Sequence, residues 1–240
     1  MISSMKKSPD EPVSAMRPIP IHDNGERLVD FAEGHPKIYW TPRHPVFDYQ
    51  RFRLIRETPA RMLAEAAERL PDGTRLAIVE GWRPPAIQQA MHAATRERLR
   101  KEHPDWTPAH LSRVANRFSA PMDRRAPPPH TTGGAVDLDL VDEEGKVLDF
   151  ISPYGILDRY SAPAFAKGLS AEAERNRALL REVLLAVGFT NYPAEWWHWS
   201  YGDQGWAYRG DHPHALYAAI QPHDLDGADF SFRPWENPGL

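Results

Sequence analysis

The chain has no cysteine among its 240 residues. That excludes a disulfide framework, a thiolate nucleophile and any sulfur-ligated metal, so a metal in this protein must be held by histidine and carboxylate. No apolar run approaches the ~20 residues needed to cross a bilayer as a helix, and the sequence therefore predicts no membrane span. Lys6 and Lys7 are followed by Ser8-Pro9-Asp10-Glu11-Pro12 instead of an apolar segment, which does not read as a secretory signal and leaves the cytoplasm as the expected compartment. Basic residues are not in excess either. A net charge of −4 argues against a nucleic-acid partner. Internal repeats and low-complexity tracts are also missing.

What remains is an ordinary globular composition, 41% hydrophobic and 26% charged, on a length that suits one elaborated domain. We expect a poorly ordered tail over 1–20 and a single domain over 21–240. From Arg17 to Arg56, His, Pro, Tyr and Trp mix without clean periodicity, predicting loops and one short strand. Thr58-Pro59 then opens a helix, with Met62, Leu63, Ala66, Ala67 and Leu70 at helical spacing, stopped by Pro71-Asp72-Gly73. A largely buried strand runs from Thr74 to Glu80 and ends at Gly81-Trp82-Arg83-Pro84-Pro85. The proline after Arg83 holds that residue extended at the mouth of the strand, and a helix follows from the prolines towards Arg100. Thr107-Pro108 caps a further helix with Leu111, Val114, Ala115 and Phe118 on one face. Ser170 starts another, which buries Leu180, Val183, Leu184 and Val187 and stops at Gly188. A short strand is expected over Phe189–Tyr192.

Two stretches carry chemistry. In the first, Pro127-Pro128-Pro129 stiffens the approach to His130, Gly133-Gly134 permits a tight turn, and Ala135 to Leu140 alternates. Val136, Leu138 and Leu140 face one way, Asp137 and Asp139 the other. A glycine turn between His130 and Asp137 can fold both side chains towards one point, as a metal site requires, although a loop histidine and a solvent-facing aspartate would fit the same residues. The second stretch is Glu195-Trp196-Trp197-His198-Trp199-Ser200-Tyr201. It sets an acid and a metal-ligating residue in a dense aromatic block, where burial without a partner would cost several kcal/mol. Pro193-Ala194 puts Glu195 on a turn before a strand carrying His198, so that both side chains can reach one site. His212-Pro213-His214 is the only other histidine cluster, and it is expected to be structural.

These residues together carry a resemblance. His130 and Asp137 with the glycines and Ala135-Val136 between them, Glu195-Trp-Trp-His198 after them and Gly81-Trp82-Arg83-Pro84 before them resemble the zinc D-alanyl-D-alanine dipeptidases of the VanX type. These are D,D-peptidases that share a fold with the hedgehog signalling domain. The likeness runs from about Arg27 to Tyr208. It implies one zinc per chain held by His130, Asp137 and His198, with Glu195 as general base and acid and Arg83 stabilising the developing oxyanion. It also implies an α+β domain in which a small, mainly antiparallel sheet carries the zinc site and helices cover the other face. The implied partner is a small D,D-dipeptide, D-alanyl-D-alanine first. Alternatives are a D,D- or L,D-carboxypeptidase or endopeptidase acting on larger peptidoglycan-derived peptides, or a zinc-dependent binding module without turnover.

Two positions depart from the dipeptidase pattern. Pro128 stands where a serine precedes the first histidine in that branch, and Gly155 falls where an aspartate that grips the substrate ammonium is usual. Asp149, Asp158 and Asp139 are the acids available to take over that role. Asp139 is the weakest of them on alternation alone, since it lies beyond Asp137 along one face.

Overall fold

The computed structural model describes residues 11–33, 35–41, 49–150 and 163–221. Gly155 and Asp158 lie outside the described residues. In chain order the elements are α1 (Val13–Met16), β1 (Leu28–Asp30), β2 (Ile38–Trp40), β3 (Leu54–Arg56), α2 (Glu57–Glu68), β4 (Arg75–Glu80), α3 (Pro85–Glu102), α4 (Pro108–Phe118), β5 (Ala135–Val141), α5 (Ala171–Ala186), β6 (Thr190–Asn191), β7 (His198–Ser200) and α6 (Gln204–Gly210). Five strands form one sheet in the order β2-β4-β5-β7-β6, antiparallel except for the β2–β4 pair, and β1 pairs with β3 apart from it. This is the α+β architecture with a mainly antiparallel sheet that the resemblance implies.

β5 is the centre of the sheet, and its seven residues are all buried. The alternation read from the sequence sorts its two faces. Val136, Leu138 and Leu140 join Met62, Leu63, Ala66 and Ala67 of α2 and Leu180, Val183 and Leu184 of α5 in the main core. Fully burying each of the large aliphatic side chains among these is worth about 1.5–3 kcal/mol. Asp137 and Asp139 point to the opposite face, and both are buried as well. α2 and α5 therefore take one face and leave the other for polar chemistry.

Local signals place most of the ends. Ser170 Oγ accepts from Ala173 N at 3.0 Å and Thr107 Oγ1 from His110 N at 3.3 Å, so both predicted caps are made. Thr58 does not cap α2. Its hydroxyl donates instead to Glu26 Oε1 at 2.5 Å, and the helix begins two residues before Pro59, at Glu57. α3 and α4 pack on each other through Leu99, Leu111 and Ala115, while Phe118, expected on the apolar face, is exposed. The described residues of 17–56 include three short strands where one was expected. Residues 11–20, expected as tail, are docked over α6: Glu11 Oε2 meets Arg209 Nη1 at 2.8 Å, and Gln204 Nε2 donates to Ile19 O at 2.7 Å.

Candidate active site

The site begins as one row across the sheet. Asp137 on β5 pairs with His198 on β7 and with Glu80 on β4, and directly opposed residues share a face. Glu80 reaches this row only because the register shifts between Ile78 and Glu80. In an unbroken ladder Val79 would oppose Asp137, so the bulge is what turns a glutamate to the polar face.

His130 joins from outside the sheet. It sits on the 3₁₀ turn Pro129–Thr132, which closes at Gly133 with φ 71°, a left-handed conformation that favours glycine. Two bonds fix the turn to the end of β4. His130 Nδ1 donates to Gly81 O at 2.8 Å, and Arg83 N donates to His130 O at 3.1 Å. A carbonyl can only accept, so Nδ1 carries the ring proton and Nε2 presents a lone pair. Arg56, buried, donates from Nε to Thr132 O at 2.9 Å and steadies the same turn from behind. Gly134 leaves no room for a side chain, since a Cβ there would lie 2.4 Å from Tyr201 O and 2.9 Å from the Tyr217 ring. Gly134→Ala should destabilise the protein by about 1–3 kcal/mol, as overpacking does, read as a lower denaturation midpoint by chemical unfolding. An unchanged midpoint would mean the turn is not under this constraint.

Three ligand atoms converge. His198 Nδ1 lies 2.9 Å from Asp137 Oδ1, His130 Nε2 lies 3.3 Å from Asp137 Oδ2, and the two ring nitrogens are 3.2 Å apart. A tetrahedral ion with ligands at 2.0–2.1 Å separates them by roughly 3.3 Å, so the donor set fits zinc without rearrangement. Among the described residues no other group of three donors lies close enough to share an ion. His212 stacks on Trp206 and His214 on His22, in keeping with a structural role.

The electrostatics show how closely the groups are set. Burial alone would raise the Asp137 carboxyl, but His130 and His198 hold it far below the usual carboxylate range. His198 is pushed down by burial. Glu195 is pushed up to about 8, by burial first and by the Asp137 carboxylate next, with His130 and Arg83 opposing. Those four charges therefore act within one small volume. Glu195 sits on a turn, as the prolyl break predicts. Asn191 clamps that turn, donating from Nδ2 to Glu195 O at 3.0 Å and to His198 O at 2.9 Å. Trp196, Trp197 and Trp199 all enter the main core, with Phe150 stacked on Trp196 at 4.2 Å.

Arg83 is held by side chains that sequence reading does not assign to the site. Its Nε donates to Glu80 Oε1 at 2.9 Å, its Nη2 to Glu80 Oε2, and its Nη1 to Gln88 Oε1 at 2.6 Å. The signal available in the sequence was Glu80 itself, an acid closing an apolar strand three residues before an arginine.

Known proteins resemble this chain. The profile of the D-ala-D-ala dipeptidase family of peptidases matches residues 43–218. The chain belongs to this family. A D-alanyl-D-alanine dipeptidase of Synechocystis sp. is 28% identical over 85% of this chain and 94% of that protein. A D-alanyl-D-alanine dipeptidase of Escherichia coli is 36% identical over 29% of this chain and 35% of its own length. Among solved structures, VanYB in complex with D-Alanine-D-Alanine aligns with TM-score 0.42 at 16% identity, covering 71% of this chain and 88% of that one. The resemblance read from the motifs is borne out: the chain is a metallopeptidase of this family, and His130, Asp137 and His198 form a group that could hold a metal ion.

Proposed function

We propose that this peptidase hydrolyses a free D,D-dipeptide, D-alanyl-D-alanine first, with one zinc held by His130, Asp137 and His198. The observation that carries the reading is the convergence of those three donors within hydrogen-bonding distance of each other on the polar face of the sheet. Relatives named for this activity support the choice of substrate, one of them over nearly its whole length. Zinc, when bound, supplies a water whose pKa is lowered to about 7. Glu195 then takes the proton of the attacking water and returns it to the departing amine nitrogen. Arg83 donates N–H groups to the scissile carbonyl oxygen as negative charge builds there. The buried tryptophans behind β7 keep bulk water away from that side, which strengthens each of these interactions.

A dipeptidase must also hold a free ammonium, and Pro128 and Gly155 remove the usual means. Of the acids considered, Asp149 is exposed and accepts from Ser170 Oγ at 2.8 Å, at the start of α5. Asp139 is buried on the same face as Asp137, and among the described residues no hydrogen bond reaches its carboxylate. Burial and the neighbouring Asp137 push Asp139 up to about 7, the behaviour of an acid short of a cationic partner. The ammonium of the substrate would be such a partner, which raises Asp139 above Asp149.

The comparison that tests this reading is free D-alanyl-D-alanine against its N-acetylated form. Acetylation removes the charge and adds bulk, so kcat/KM should fall at least ~10-fold. Equal or better cleavage of the acetylated peptide or of a longer stem peptide would replace this reading with the carboxypeptidase or endopeptidase one, which the departures at Pro128 and Gly155 favour.

A further inference from the structure

Arg83 is not free to point where it likes. Of its five N–H groups, Nε and Nη2 each give one to the Glu80 carboxylate and Nη1 gives one to Gln88 Oε1. The Tyr49 hydroxyl also interacts with the guanidinium, so only what these contacts leave of its N–H groups can meet a substrate oxygen.

The groups that hold Arg83 are themselves held. Glu80 is buried, with 1% exposure, and Tyr49 OH donates to its Oε1 at 2.5 Å. Burial pushes the Tyr49 phenol well up, so it keeps the proton it donates. Gln88 is turned by its own amide, which donates from Nε2 to Ala120 O at 2.7 Å and to Ser119 Oγ at 3.3 Å. Its oxygen is thereby left facing the guanidinium. The cage ties Arg83 to β4, to α3 and to the chain just after α4, while the backbone bond from Arg83 N to His130 O ties it to a metal donor. A planar carboxylate bound to a planar guanidinium through two parallel bonds fixes orientation as well as position, which a single contact does not.

We infer that Glu80, locked by Tyr49, is a positioning residue: it orients Arg83 so that the guanidinium presents N–H to the scissile carbonyl. The inference rests on the role of Arg83 set out above. It also accounts for the bulge before Glu80, which moves this glutamate from the helix-packed face to the site.

A double-mutant cycle tests it, using D-alanyl-D-alanine turnover by the full chain loaded with zinc. Arg83→Ala should lower kcat by about 10²-fold, as loss of an oxyanion donor does. Glu80→Gln keeps the shape and one acceptor but loses the charge and the paired geometry, and should lower kcat by ~10-fold with KM changed by less than about threefold and zinc content unchanged. In the Arg83→Ala background the same substitution should change kcat by less than about twofold, because nothing is left to orient. Tyr49→Phe, which removes one hydroxyl and keeps the ring, should follow the same pattern with a loss of about threefold, and it stands in if Glu80→Gln does not fold. A Glu80→Gln loss that is equal in both backgrounds would show a general structural role and overturn the inference, as would an unchanged kcat in Glu80→Gln and Tyr49→Phe with Arg83 intact. If Arg83→Ala itself leaves kcat unchanged, the role given to Arg83 fails first, and the positioning inference falls with it.

Discussion

Glu195→Ala should retain its metal and lose ~10²–10⁴-fold in kcat on D-alanyl-D-alanine, the range for a positioned acid or base. The reason lies in where the residue sits. It is outside the donor set, on a turn held by Asn191, so removing its carboxyl leaves His130, Asp137 and His198 as they are. It is also close enough to Asp137, His130 and Arg83 for each to act on its charge. No other acid in the described residues combines that proximity with freedom from the donor set and from the Arg83 cage. Glu80 is committed to Arg83 and Tyr49, and Asp139 lies further along β5. Glu195→Gln should behave as Glu195→Ala does, because an amide hydrogen-bonds but cannot shuttle a proton. The measurement is steady-state kcat beside elemental analysis of the same preparations. Near-normal turnover in a variant with full metal would remove Glu195 from the mechanism.

His198→Ala should lose the metal, and with it turnover altogether. Removing even a group that only supports a ligand typically weakens metal binding by 10–100-fold, and here a ligand itself is deleted from a set of three. Two donors cannot hold a tetrahedral ion against water and buffer at ordinary concentrations. The loss should also appear as stability. Binding to the folded state alone stabilises it in proportion to the logarithm of metal concentration over Kd, so added zinc should raise the Tm of the unaltered protein and leave that of His198→Ala where it was. A zinc-dependent Tm shift of equal size in both would place the ion elsewhere.

Most of the site could be read from the residues because its pieces are local. The glycine turn after His130, the alternation that puts Asp137 opposite Val136, and the prolyl break before Glu195 are each settled within a few positions of chain, and the structure keeps all three. The caps at Thr107 and Ser170 are legible for the same reason. What escaped depends on distant partners. β1, β2 and β3 are three residues each, too short to carry a period, and exist because β4 and one another supply their hydrogen bonds. Thr58 looks like a cap until Glu26, far back in the chain, takes its hydroxyl. The cage around Arg83 needs a bulge, a tyrosine from before β3 and a glutamine on α3, and no spacing rule joins those. Asp139 was ranked last from alternation, which gives a face but not what else lies on it. Its rank changes once Asp149 is seen to be engaged at the start of α5.

The central claim is that His130, Asp137 and His198 hold the ion on which hydrolysis depends. It is tested most directly by stripping the protein with a chelator and titrating zinc back while following D-alanyl-D-alanine cleavage. Activity should return in proportion to added zinc and break at about one equivalent per chain for the unaltered protein, with no recovery in His198→Ala over the same range. Full activity in the stripped protein, or the same titration curve in His198→Ala, would contradict it.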